Sequence, residues 1–242
     1  MDYIFVSGTC RVTTLIYDGW GMITPIHSQR CFDAPNINFI GNFHTAKQHI
    51  QFIKFLKGDL ELPEKIQKIK FQSPNISLKE GENTVEERIE IIKRFLPDCT
   101  IFLFEICSRK NWNCDLYGIN KEITIEQALE DNGGKPTSID SFNDIYNDID
   151  TLCKLLPENS KVILQTHFRI DIIRGDETNK IESREIIYNA VKKYCEDNPR
   201  IKHFDPSFFL KDNLEYFADN EHFNPHKIKG VFKYFYERFI LE

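Results

Sequence analysis

Asp2-Tyr3-Ile4-Phe5-Val6, followed at once by Ser7-Gly8-Thr9-Cys10-Arg11, is a short apolar run that breaks at a glycine. A run of this length bounded by a turn signal reads as a buried strand, and Gly8 permits the tight turn. Residues 11–17 then read as a helix, ended by Gly19 and Gly21. Strand, turn and helix at the start make residues 2–6 the central first strand of a sheet, with three nucleophile-type side chains (Ser7, Thr9 and Cys10) around the glycine.

Outward from that unit, strands and helical patterns alternate. Residues 36–40 alternate as a second strand. Residues 45–57 form a helix with Ile50, Ile53 and Leu56 spaced to cover one face, Phe52 beside them and Gly58 after the last turn. Asn83-Thr84 caps a helix over 85–95. Pro97-Asp98 then turns the chain into the strongly apolar strand 100–106, read as buried on both faces. Ser138 and Asp140 offer caps for a helix ending near Leu156. A strand at 161–166, a helix at 182–198, an apolar segment at 201–206 and an aromatic-rich helix at 227–241 complete the pattern. This alternation predicts an α/β fold of three layers, α/β/α, with a mostly parallel, flavodoxin-like central sheet. Residues 108–136 read as a loop insertion carrying Trp112, Cys114 and Tyr117. With no repeat and no linker, residues 1–242 are expected to form a single domain.

The chain has 242 residues, 41% of them hydrophobic, enough for a substantial core. Its net charge of -6 argues against a dedicated nucleic-acid binder, whose footprint is normally basic. No apolar stretch is long enough to span a bilayer, and a signal peptide's basic and apolar regions are missing from the first residues. The expectation is therefore a soluble, cytoplasmic or otherwise intracellular protein with no membrane partner. Seven cysteines, an odd number with no Cys-x-x-Cys, fit reduced thiols in such a compartment.

Near the far end stands Asp219-Asn220-Glu221-His222-Phe223-Asn224-Pro225. An Asp three residues before a His can orient and charge-stabilise the imidazole, which then serves as a general base for a nucleophile. The alternative is a helix start in which Asp219 caps and His222 faces solvent. Likewise Cys10 reads either as the nucleophile or as a small core thiol. His222 and His226 lie four apart, but Pro225 between them disfavours the continuous helix a shared metal would need, so no metal and no cofactor are expected. His167 and Arg169 follow the strand at 161–166, where the crevice of a parallel sheet opens, and with Arg11 and Asn42 are candidate substrate-binding groups. Aromatic side chains such as Trp20 and Trp112 could stack on sugar rings, with core packing as the default.

A nucleophile after the first strand and Asp-x-x-His before the last helix resemble the SGNH/GDSL hydrolase superfamily, in particular relatives opening Gly-Ser-Cys, here Gly8-Thr9-Cys10. The resemblance covers most of the chain, with the two ends as its specific part. It implies an esterase or acyltransferase working on an acyl ester, of a carbohydrate or of another small alcohol, through nucleophile, His222 and Asp219. Aligning Gly8 with the family's glycine puts Cys10 at the nucleophile position, ahead of Thr9 and then Ser7, with Arg11 beside it to favour a thiolate. Gly41, with Asn42 next to it, matches the family's second oxyanion donor. Where the family has Gly-x-Asn, this chain reads Glu105-Ile106-Cys107-Ser108-Arg109, leaving Ser108 as the substitute donor; loss of that donor costs roughly a hundredfold in rate. Two other readings stay open: a Cys/His thioesterase- or peptidase-like enzyme, and a non-catalytic binding module of the same fold that holds a glycan or a protein partner. The substrate, the acyl group and the oligomeric state are not legible.

Overall fold

The computed structural model describes residues 3–16, 21–25, 37–38, 43–64, 66–67, 84–114, 117–119, 136–169, 178–210 and 212–242. β1 (Tyr3–Ser7) is buried on both faces, sending Ile4 and Val6 to one side and Phe5 to the other. α1 (Cys10–Ile16) follows directly. β4 (Cys99–Ile106), β8 (Lys161–Thr166) and β9 (Ile201–Phe204) continue the sheet from β1, each parallel to its neighbour. On the other side of β1 lie β2 (Gly21–Pro25) and β3 (Ile37–Asn38), giving the order β3-β2-β1-β4-β8-β9. The central sheet is thus mostly parallel, as the alternation of elements implied.

The strand beside β1 differs from expectation. The segment expected at 36–40 supplies only the edge strand β3, while β2 pairs with β1 in antiparallel sense. Gly21, read as a helix stop, is the first residue of β2, and Pro25 is its last. Glycine and proline are depleted in strands, so a five-residue strand framed by them reads as a turn.

Helices cover both faces. α2 (Ala46–Lys57) is fixed at its start by a capping box between Thr45 and Gln48 and at its end by Gly58 in the left-handed region, φ 81°. α3 (Val85–Phe95) begins with the same device at Thr84 and Glu87. β5 (Lys110–Cys114) and β6 (Tyr117–Ile119), from the described part of the expected insertion, build a separate antiparallel sheet with β7 (Ser138–Ile139), which follows it. α4 (Phe142–Lys154) is capped by Ser141 with Asp144, not by Ser138 or Asp140. Ser138 belongs to β7, and Asp140 accepts a hydrogen bond from Lys47 at 2.6 Å. α5 (Thr178–Asp197) starts four residues earlier than its apolar stripe indicates. After β9 come α6 (Pro206–Leu210), then α7 (Ile228–Phe235), which runs into a π-helical turn, Tyr236–Ile240.

Two apolar cores result, one per face. α2, α3, α4 and α5 bury theirs with Phe5, Phe102, Phe104 and Leu164 of the sheet. α1 and α7 bury theirs with Ile4, Val6, Leu103 and Ile163, together with Phe168, Phe217 and Phe223. The layers are therefore α/β/α. Among the described residues no helix is long and apolar enough to cross a membrane.

Candidate active site at the carboxyl edge of the sheet

The turn after β1 is built around Glu105, the penultimate residue of β4. β1 and β4 pair in register with Ser7 opposite Phe104, which brings Glu105 beside Gly8. A side chain at Gly8 would meet the Glu105 Cβ at 2.6 Å and a Val12 methyl at 2.7 Å, so only glycine allows the strand this close. Glu105 is fully buried. One carboxylate oxygen accepts the Thr9 amide at 2.8 Å and the Thr9 hydroxyl at 2.5 Å. The other accepts Nε of Arg11, whose charge neutralises it. Breaking a buried pair of this kind by removing one partner costs on the order of 3–5 kcal/mol.

On the opposite face the same residue acts through its backbone. The Glu105 carbonyl accepts Nε2–H of His49 at 2.8 Å, which makes Nδ1 the acceptor; the Ser7 hydroxyl donates to it at 2.9 Å. Ser7 and His49 are both 0% exposed. Ser7 is therefore placed with His49 of α2 rather than with His222. The Thr9 hydroxyl is likewise committed to an internal partner, and Thr9 is buried.

Asp219 and His222 sit at the tip of a narrow loop. Its base is a bridge between Phe217 and Phe223, whose rings pack against Phe168 at 4.7 and 4.8 Å, and the Ala218 amide donates to the His222 carbonyl at 2.9 Å. Asp219 caps a turn here rather than a helix, since α7 starts only at Ile228. Its Oδ1 accepts the amides of Glu221 and His222, each at 2.7 Å. His222 Nδ1 lies 2.9 Å from Oδ2. A carboxylate only accepts, so Nδ1 carries the proton and Nε2 is the basic nitrogen of the neutral ring. Burial pulls the Asp219 carboxyl upward, but the bonds from His222 and the Glu221 amide outweigh it and hold it below its ordinary value. His222 is about half exposed, 52%.

Arg11 joins the two ends of the chain. Its Nη1 donates to the Glu221 carbonyl at 3.0 Å, next to His222, while its own position follows Cys10 directly. Arg184 of α5 reaches the Glu221 carboxylate at 3.6 Å. His167 is buried beside them, bonded to the Phe168 carbonyl at 3.1 Å. Burial first, and then the charges of Arg11 and Arg184, keep its imidazole neutral well below the usual histidine range.

The remaining candidates divide. Cys10 opens α1, and its side chain lies outside the described residues, as do Gly41 and Asn42 altogether. Phe43, the next residue, donates its amide to the Gly8 carbonyl at 3.2 Å. Ser108 donates its amide to the His44 carbonyl at 3.0 Å and accepts the Lys110 amide at 3.0 Å on its hydroxyl. Arg169 bonds Glu185 at 2.8 Å and Asp205 at 2.6 Å and lies over the Tyr188 ring at 3.6 Å, so its guanidinium serves as a clamp between β8, α5 and the end of β9. Among the described residues no group of three or more His, Cys, Asp or Glu is arranged to hold a metal ion.

Sequence reading missed Glu105, His49 and Arg184. The available signal was Glu105 itself, an acid in a strand otherwise apolar and buried on both faces, which demands a cation nearby. The family model described as the TviD N-terminal domain matches residues 3–142, and no curated protein matches the chain.

Proposed function

The chain belongs to the TviD N-terminal domain family, and from that premise and the geometry around the first turn we propose that it is an SGNH-type esterase or acyltransferase acting on an acyl ester. The acyl group is carried by a carbohydrate or another small alcohol. The matched residues contain the turn and Glu105 but end before Asp219 and His222. One observation carries the reading: His222 is oriented by Asp219 with Nε2 left as base, on a loop that Arg11 bonds from the position next to Cys10.

In this mechanism His222 takes the proton from the Cys10 thiol, and the thiolate attacks the ester carbonyl. The tetrahedral oxyanion accepts hydrogen bonds from amides of the turn and of the segment around Gly41. Collapse breaks the bond to the alcohol, which leaves with the proton returned by His222, and the acyl group rests on sulfur. Water or an acceptor hydroxyl then gives its proton to His222 and takes the acyl group, restoring the thiol. Internal commitment of the Ser7 and Thr9 hydroxyls favours Cys10 over both.

The same commitment supports a second reading. Without a reactive Cys10 the turn has no uncommitted hydroxyl, and the fold would serve as a binding module for a glycan or protein. Turnover of p-nitrophenyl acetate by wild type, Cys10→Ala, Thr9→Ala, Ser7→Ala and His222→Ala separates the two. The expected result is loss of about a hundredfold or more for Cys10→Ala and His222→Ala, with an acyl adduct on wild type visible by intact mass. Equal silence in all five proteins, with no adduct, would favour the binding module.

A further inference from the structure

We propose that Glu105 is a positioning residue that holds the turn bearing Cys10 and the loop bearing His222 in one geometry, acting through Arg11. The proposal rests on the reading of Cys10 and His222 given above. Glu105 grips the chain on both sides of residue 10. Its carboxylate takes the Thr9 amide and hydroxyl on one oxygen and Arg11 on the other. Its carbonyl holds His49 and, through it, Ser7. Residue 8 is a glycine because Glu105 occupies the space where a side chain would stand. Residues 7, 8, 9 and 11 are thus all fixed by one side chain and one carbonyl.

From Arg11 the constraint passes to the base. A guanidinium is a rigid planar fork, so fixing the Nε edge against Glu105 fixes where Nη1 points. Nη1 bonds the Glu221 carbonyl, and Glu221 and His222 are tied to each other by the turn that Asp219 caps. The path Thr9, Glu105, Arg11, Glu221 is continuous in hydrogen bonds and ends one peptide bond from His222, and its last step joins residues 210 apart in sequence. A carboxylate is required at its centre, since both oxygens must accept. An amide of the same size offers one acceptor only.

Hydrogen–deuterium exchange on the full chain tests this with Glu105→Gln. The expected result is faster exchange, by about tenfold, in residues 8–12 and 219–223 together, with α2 and β8 unchanged. Arg11→Lys keeps the charge but loses the fork, and should loosen 219–223 while the Thr9 amide keeps its protection. In the acyl assay Glu105→Gln should lower kcat by about a hundredfold with KM little changed, the signature of misplaced groups. Faster exchange in 8–12 alone, or uniformly along the chain, overturns the proposal. Should Glu105→Gln fail to fold, unchanged exchange at 219–223 in Arg11→Lys overturns it equally. If the wild type turns over no ester, the catalytic reading falls, while the exchange pattern still decides whether Glu105 couples the two segments.

Discussion

Gln165 stands on β8 directly opposite Glu105 in the register, fully buried, and neither atom of its amide has a hydrogen-bond partner among the described residues. A buried polar group without partners carries a desolvation penalty of about 1–3 kcal/mol, which an apolar side chain of similar shape avoids. Gln165→Met is therefore expected to raise stability by about 1 kcal/mol, read as a higher urea midpoint at unchanged slope. A lower midpoint would mean that the amide is partnered in solution. At this scale legibility followed sequence distance. Asp219 and His222 were readable because three residues separate them and the bond is local. Arg11 with Glu105, 94 residues apart, and Ser7 with His49, 42 apart, were not, because their meeting depends on strand register and helix placement. The roles expected of Thr9 and Ser7 could not be judged before those partners were known.

At the level of elements, α2 and α4 are linked by one lysine. Lys47 bonds Asp140 at 2.6 Å and approaches Asp148 of α4 at 3.7 Å. Burial pushes the Asp148 carboxyl up to about 6, with Lys47 opposing and Asp140 and Asp144 adding to the rise. The folded state thus binds this proton more tightly than the unfolded chain, whose carboxyl has the ordinary value of 3.8. Its contribution to stability is complete below that value and is lost as pH rises through about 6. Asp148→Asn removes this gain on acidification, so the variant should be more stable than wild type at pH 7 and lose that advantage as pH falls toward 3.8, measured by urea unfolding at several pH values. A stability difference between variant and wild type that does not change with pH across that window would contradict the assignment. Helices were legible through such local chemistry: the cap at Thr84 and the glycine after Lys57 are each contained within a turn or two. β2 did not, because its identity comes from pairing with β1 rather than from its own composition.

For the molecule as a whole, acid is the natural stress. His203 is pushed down to about 4, by burial first, with Asp205 opposing and Arg169 and Lys192 adding to the fall, and its ring is hydrogen-bonded to the Thr166 hydroxyl. His167 is depressed as well, by burial first and then by Arg11 and Arg184. Depressed histidines contribute stability that is complete above 6.5 and is lost as pH falls toward about 4. Two such groups oppose the gain from Asp148, so wild type should lose stability between those limits. His203→Asn should reduce that loss, as seen by denaturant midpoints at pH 7 and pH 5; an unchanged difference would refute the assignment.

The bond between Arg11 and Glu221 has a consequence in time as well as in space. The chain spanning the 210 positions from Arg11 to Glu221 must leave the ribosome before residues 219–222 can dock against the turn after β1. Until then a nascent chain displays the start of the fold without the loop that Arg11 bonds. Chain order thereby sets the order of assembly: only molecules that have brought these two distant segments together make the Arg11–Glu221 bond.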